Sequence, residues 1–365
     1  MLTGEVRTGP FFVDIDLTSR CNLQCLGCPY HSPLSPAAPT HASRGDIPFD
    51  LVNRLLEELK EMETRSLVLQ GEGEPFLYPH LTELVSAAKE AGFFITLLTN
   101  GTLLEKDVVQ SFIDSRLDLL KVTLWASSPE QYGKNYPGTD PNYFHRVIEG
   151  LRLATRLKAE ARNKLPLVVL HHPINRNNYQ TLDSIVDLAF QSGCNGVSFS
   201  PFYPLEGRLT DYLLSRVEEE FVRQNLRELK KKLNRLGLSH NIDETLLRYE
   251  LGEAVWEKMP CYIPWYHARI RVDGTVQPCG RCSLSLGNLK KHTFREVWSN
   301  PDFRSLRFHG MRGMTSTFLR EHCDCAFCCF VKDSMQVHQI FRYFSPLRIR
   351  QKEGKPRNTQ GDVPA

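Results

Sequence analysis

Between residues 12 and 204, short apolar runs alternate with stretches whose apolar positions recur every three or four residues. The runs lie at 11–17, 66–69, 93–98, 119–124, 167–170 and 196–199, and each reads as a buried strand. Between them, 48–62, 80–91, 103–115, 141–162 and 178–192 carry the helical period. This alternation predicts a parallel sheet with right-handed crossovers, either an open doubly wound sheet or a complete or partial barrel. In both architectures a ligand binds at the carboxyl ends of the strands.

The pattern then changes. Residues 208–258 are charged and helical, and Arg227-Glu228-Leu229-Lys230-Lys231-Lys232 reads as a solvated helix face. Residues 259–333 are rich in cysteine, glycine and short strands, and the polar, proline-bearing tail from about 346 reads as disordered. The divisions expected are therefore 1–207, 208–258, 259–333 and an extension at 334–365. A length of 365 residues accommodates a large domain with a smaller one.

Charge adds little, because a net charge of +3 announces no nucleic-acid or anionic-membrane partner. No run reaches the ~18 apolar residues of a membrane span, and the amino-terminal stretch lacks a secretion-signal pattern, so a cytoplasmic location is expected. Cysteine changes the picture more. There are 11, clustered at 21, 25 and 28, at 261, 279 and 282, and at 323, 325, 328 and 329, with Cys194 alone and read as a buried small hydrophobe. Clustered thiols in a reducing compartment point to metal rather than disulfides.

Directly after the first strand stands Cys21-Asn22-Leu23-Gln24-Cys25-Leu26-Gly27-Cys28-Pro29. Three thiolates on one loop suit an iron-sulfur cube and leave one iron corner open, the mark of a site that binds a cofactor or substrate. A structural zinc loop with a fourth ligand such as His31 is the alternative. After the second strand comes Gln70-Gly71-Glu72-Gly73-Glu74-Pro75, where glycines permit close backbone approach beside a carboxylate able to accept from an ammonium group. The third strand ends in Thr99-Asn100-Gly101, the fourth passes through Thr123, and the fifth ends near His171.

The C-x3-C-x2-C loop resembles the signature of the radical S-adenosylmethionine (radical SAM) superfamily. The resemblance implies a partial (β/α)6 TIM-type barrel and a [4Fe–4S] cluster on Cys21, Cys25 and Cys28. The open iron would bind S-adenosylmethionine (SAM), which is cleaved reductively to a 5′-deoxyadenosyl radical that abstracts hydrogen from an organic substrate. Gly73, Glu74 and Pro75 match the family's glycine-glutamate-proline segment, and Asn100, Thr123 and His171 fall where cofactor contacts are expected. Gly27 departs from the family, which usually has an aromatic or large apolar residue beside the adenine; Tyr30 is the candidate substitute.

Downstream, Cys261, a hairpin turn at Asp273-Gly274, Cys279 and the Cys323-Asp324-Cys325-Ala326-Phe327-Cys328-Cys329 run are similar to SPASM and twitch extensions. The resemblance implies a small cysteine-rich domain with one auxiliary [4Fe–4S] cluster on Cys261, Cys279, Cys325 and Cys328. Cys282, Cys323 and Cys329 are left to replace a named ligand or to hold a second cluster, and a zinc knuckle is the bland alternative. A reductant such as flavodoxin or ferredoxin is the implied partner. Only about twenty residues precede Cys21, which tilts the expectation from a peptide-modifying maturase toward a small-molecule or cofactor-precursor substrate. A non-catalytic iron-sulfur or zinc scaffold is the reading from another class.

Overall fold

The computed structural model describes residues 5–34, 45–202, 209–251, 259–313, 316–325, 328 and 330–344. Cys329 and the tail expected to be disordered lie outside them. The apolar runs form β1 (Phe12–Asp16), β2 (Ser66–Gln70), β3 (Phe94–Thr99), β4 (Leu119–Thr123), β5 (Leu167–Ile174) and β6 (Gly196–Pro201). The periodic stretches form α1 (Phe49–Glu61), α2 (Leu81–Glu90), α3 (Lys106–Asp114), α5 (Tyr143–Glu160) and α6 (Leu182–Gln191). A short helix, α4 (Pro129–Asn135), capped by the Ser128 hydroxyl, has no counterpart in the periodicity.

Strands β1 to β6 pair in sequence order, all parallel. One side chain of each alternating pair, such as Val13, Leu67, Ile95, Leu120 and Val168, is fully buried against the helices. The other faces the concave side, where Asp14, Val68, Thr96, Lys121 and His171 line a cavity. The barrel is not closed: β1 and β6 lie apart within a ten-stranded sheet that also includes β7 (Ser239–His240), β8 (His267–Ile270), β9 (Thr275–Gln277) and β10 (Gly287–Asn288), in the order β10-β9-β8-β1-β2-β3-β4-β5-β6-β7.

The charged connection folds as α7 (Arg216–Leu236), the short β7 (Ser239–His240) and α8 (Ile242–Leu251). Helix α7 opens on a Ser215/Glu218 capping box and closes on the left-handed Gly237. It buries Val222, Leu226, Leu229 and Leu233, while Arg223 pairs with Glu220 and Lys231 with Glu228 on its outer face.

The cysteine-rich region contributes α9 (Ile263–Tyr266), β8 (His267–Ile270), β9 (Thr275–Gln277) and β10 (Gly287–Asn288), and then α10 (Phe294–Ser299), α11 (Pro301–Met311), α12 (Thr317–His322) and α13 (Val331–Phe344). The expected hairpin forms between β8 and β9 with Gly274 at positive φ. Strand β8 also pairs in parallel with β1, so the two regions share one sheet. No helix among the described residues is long and apolar enough to cross a membrane.

Candidate active site

The carboxyl ends of β1 to β4 border a cavity of about 290 Å³ walled by Cys21, Cys25, Cys28, Tyr30, Gly73, Glu74, Pro75, Asn100 and Thr123, among others. The cysteine loop is held from several sides. Leu26 N–H donates to the Asn135 carbonyl at the end of α4 (2.9 Å), the Ser32 hydroxyl donates to the Leu26 carbonyl (2.7 Å), and Cys28 N–H donates to the Cys25 carbonyl (3.0 Å). The Cys28 sulfur in turn accepts from the N–H groups of Tyr30 (3.4 Å) and His31 (3.3 Å), donors that favour a thiolate.

Burial pushes the Cys21 thiol up to about 12 and raises Cys25 and Cys28 as well, and the three groups act on one another. Thiols in so desolvated a place become stable as thiolates only with a metal beside them. Cys21, Cys25 and Cys28 border one cavity, and three thiolates on one loop are a donor set that suits an iron-sulfur cube with one corner left without a protein ligand.

At Gly73 a Cβ atom would stand 2.0 Å from the Arg20 carbonyl oxygen, so only glycine allows this approach. Gly73 N–H donates to the Thr18 carbonyl (2.9 Å) and Glu74 N–H to the Arg20 carbonyl (2.8 Å), which ties the turn to the chain entering Cys21. The Glu74 carboxylate is fully engaged inside the protein. It accepts from the Thr99 hydroxyl (2.7 Å), Phe76 N–H (3.1 Å) and Asn100 N–H (2.7 Å). Burial pushes its pKa up to about 7, against these donors. Its side chain thus joins the turn to the end of β3, where Asn100 also donates to the Asn22 amide oxygen (2.9 Å).

His171 departs from the expected place. It pairs in register with Thr123, but it lies on a second, larger cavity of about 610 Å³ rather than on the cofactor cavity. The reason is position around the sheet: β5 lies beyond β4 from the strands that carry the cysteine and glycine loops. Its ring is wedged between the Ser198 hydroxyl (2.8 Å) and the Ser200 hydroxyl (3.3 Å). The two cavities share Gly27, Gln70, Leu98 and Trp125 as lining, so they adjoin.

The departure at Gly27 has a physical counterpart. A Cβ there would meet the Phe202 ring at 2.2 Å and the Trp125 ring at 2.7 Å. These two rings, packed edge to face with centroids 5.7 Å apart, occupy the space that a larger residue at 27 would fill. Trp125 is fixed through its backbone: its N–H donates to the Tyr136 hydroxyl (3.0 Å), and its carbonyl accepts from Asn135 (2.7 Å) and Asn178 (3.0 Å). Tyr30 also borders the cofactor cavity and is held from β8. Its hydroxyl accepts from Arg269 of β8 (3.2 Å), and its ring carries the Arg271 guanidinium at 5.7 Å. Arg269 also pairs with the fully buried Asp16 (2.7 Å), whose carboxyl burial pushes up and the guanidinium pulls down. Arg271 pairs with the buried Glu72 (2.6 Å).

In the cysteine-rich region, Cys279 and Cys282 are buried in one apolar cluster with Cys261 and Cys323 packed against it. Cys282 and Cys323 face each other across an isolated antiparallel bridge, and the Cys323 thiol also reaches Cys325. Two hydrogen bonds at Cys328 parallel those at Cys28. Cys328 N–H donates to the Cys325 carbonyl (3.2 Å), and the Cys328 sulfur accepts from Phe330 N–H (3.4 Å). Spacing had left Cys282 and Cys323 as spares, yet both stand among the grouped thiols.

Comparison with known proteins follows the same division. The model of the Radical SAM superfamily matches residues 15–201, and that of SPASM, an iron-sulfur cluster-binding domain, matches residues 261–330. An AdoMet-dependent heme synthase from Methanosarcina barkeri is 23% identical, covering 82% of this chain and 85% of its own length. A tungsten-containing aldehyde ferredoxin oxidoreductase cofactor-modifying protein from Pyrococcus furiosus is 21% identical, with coverages of 88% and 89%. A PqqA peptide cyclase from Ruegeria pomeroyi is 27% identical, with coverages of 83% and 76%. Among solved structures, Streptococcus suis SuiB bound to S-adenosylmethionine superposes with a TM-score of 0.64 at 17% identity, covering 89% of this chain and 74% of that one. The chain belongs to the radical SAM superfamily, as an enzyme with SAM and [4Fe–4S] clusters for cofactors and an iron-sulfur SPASM domain in its carboxyl-terminal half.

Proposed function

We propose that this chain abstracts hydrogen from a small organic molecule or cofactor precursor held inside the barrel, in the cytoplasm, with flavodoxin or ferredoxin as reductant. One observation carries the reading: the three cysteines and the Gly-Glu-Pro turn border one cavity, which adjoins a second of about 610 Å³, a volume suited to a small ligand. Bound at the open corner of a cluster on Cys21, Cys25 and Cys28, SAM supplies a carbon radical able to remove hydrogen from an unactivated C–H.

The protein's own contribution is placement and enclosure. In this reading Gly73 and Pro75 would hold the cofactor through backbone, Asn100 and Thr123 would offer polar contacts, and Trp125, packed against Phe202, would supply the aromatic surface that position 27 lacks. Gly27, Gln70, Leu98 and Trp125, which line both cavities, would form the boundary where substrate meets cofactor, a place from which water must be kept. An auxiliary cluster on Cys261, Cys279, Cys325 and Cys328 would accept an electron from the substrate.

The test is anoxic reconstitution followed by dithionite and SAM. Release of 5′-deoxyadenosine, lost in Cys25→Ala and Cys28→Ala, is the expected result. A fully iron-loaded protein that gives none would sink the proposal in favour of a non-catalytic scaffold. The peptide cyclase relative favours a second reading, a peptide-modifying enzyme, and identification of a peptide as the molecule that accelerates 5′-deoxyadenosine release would establish it.

A further inference from the structure

Arg269 of β8 and Arg271, just past its end, reach over the end of β1, where the cysteine loop departs. Strand β1 lies between β8 and β2 in the sheet, with Arg269 in register with Asp14. Arg269 donates to the Asp16 carboxylate (2.7 Å) and to the Tyr30 hydroxyl (3.2 Å). Arg271 reaches further. Its Nε donates to Glu72 Oε1 (2.7 Å) in the glycine turn after β2, and its guanidinium lies over the Tyr30 ring, 5.7 Å from the centroid. The hairpin fixes where that side chain starts: Arg271 N–H donates to the Thr275 carbonyl (2.9 Å), and its carbonyl accepts from Gly274 N–H (2.8 Å).

The groups held in this way are walls of the cofactor site. Tyr30 and Glu72 both border the cavity of the cysteine loop, and Arg271 touches each of them from behind. A buried ion pair is by itself weak evidence for stability, because desolvation of the two charges offsets their attraction. What it does supply is a fixed place, since the buried Glu72 cannot swing away without leaving its charge unsolvated. The turn that carries Glu72 has little slack. A Cβ on Gly71 would stand 2.7 Å from the Gly73 carbonyl oxygen, and one on Gly73 2.0 Å from that of Arg20. A shift of Glu72 therefore carries Gly73 and Glu74 with it.

Resting on the reading that this cavity holds SAM, we propose that Arg271 is a positioning residue for the cofactor, which through Glu72 and Tyr30 sets two walls of the SAM site from the carboxyl-terminal half of the chain. The site is complete only once the β8–β9 hairpin has docked. SAM affinity is thereby tied to a residue outside the segment, 15–201, that matches the radical SAM model.

The experiment is equilibrium dialysis of radiolabelled SAM against the anoxically reconstituted full chain, with electron paramagnetic resonance spectra of the dithionite-reduced protein taken with and without SAM. Arg271→Met is expected to weaken SAM binding about tenfold or more, as loss of outer support does at metal-centred sites, and to shrink the SAM-induced spectral change while iron content holds. Arg271→Lys, which keeps a charge facing Glu72, should recover part of the affinity. The double variant Arg271→Met/Glu72→Gln strands no buried charge, so it serves should Arg271→Met fold poorly. It should weaken binding no more than the worse of its two single variants, because the two residues act as a unit. SAM affinity within about twofold of the parent in Arg271→Met or in the double variant overturns the proposal, as does a double-variant loss equal to the product of the single losses. Iron lost in step with SAM binding in every variant assigns Arg271 a purely structural role and overturns it too. An iron-loaded parent that binds no SAM overturns the reading of the cavity itself, which sets that failure apart from failure of Arg271.

Discussion

A single hydrogen atom in place of a side chain decides how the cofactor cavity is walled. With glycine at 27, the rings of Phe202 and Trp125 lie where a Cβ would be, and of the two Trp125 borders the cofactor cavity while both border the larger one. Gly27→Tyr should overfill this space at a cost of about 1–3 kcal/mol or more, seen as weakened SAM binding and reduced iron uptake. Adding Phe202→Ala removes the nearer ring and should restore both; a double variant no better than the single would show that the rings are not what excludes a larger residue. That Cys21, Cys25, Cys28, Gly73, Glu74, Pro75, Asn100 and Thr123 border one cavity was legible in the sequence, because each sits in a short motif at or near the end of its strand. Trp125 and Phe202 were not, since their meeting at Gly27 depends on strands two apart in the sheet. The inward orientation of the Glu74 carboxylate was equally hidden, being set by donors from β3.

At the scale of elements, β8 is the surprise. Apolar periodicity located the six barrel strands and their main helices, and Asp273-Gly274 located the β8–β9 hairpin, but nothing local shows that β8 docks on β1. That contact is written in Asp16 and Arg269, 253 positions apart, both buried and joined at 2.7 Å. Breaking a buried pair strands a charge, so Arg269→Leu should cost about 3–5 kcal/mol in urea unfolding and release Tyr30. Joint replacement of Asp16 and Arg269 by apolar residues should recover most of that loss. If Arg269→Leu unfolds at the same urea concentration as the parent, the pair contributes nothing to docking.

Over the whole molecule, two metal centres are expected on one sheet. Iron analysis of the reconstituted protein should approach about eight irons per chain, two [4Fe–4S] clusters. Cys261→Ser should lower this to about half while 5′-deoxyadenosine release persists, because the thiol borders the carboxyl-terminal group alone. Cys282→Ser should leave the count unchanged; if it falls to half, Cys282 takes the place given to Cys279. Composition could not make this choice. Six described thiols gather where four suffice for a cube, and the bridge between Cys282 and Cys323 is formed by chain folding back over some forty residues.

Sharing an edge between β1 and β8 also imposes an order on biosynthesis. While the ribosome is still making the later half, β1 has an uncovered strand edge beside the cysteine loop, the kind of edge that invites wrong pairing. The Asp16 carboxyl meanwhile waits for an arginine not yet translated. Cluster delivery by the iron-sulfur assembly machinery is therefore expected to succeed only after release of the full chain, and fragments ending before β8 should emerge metal-poor and prone to aggregate.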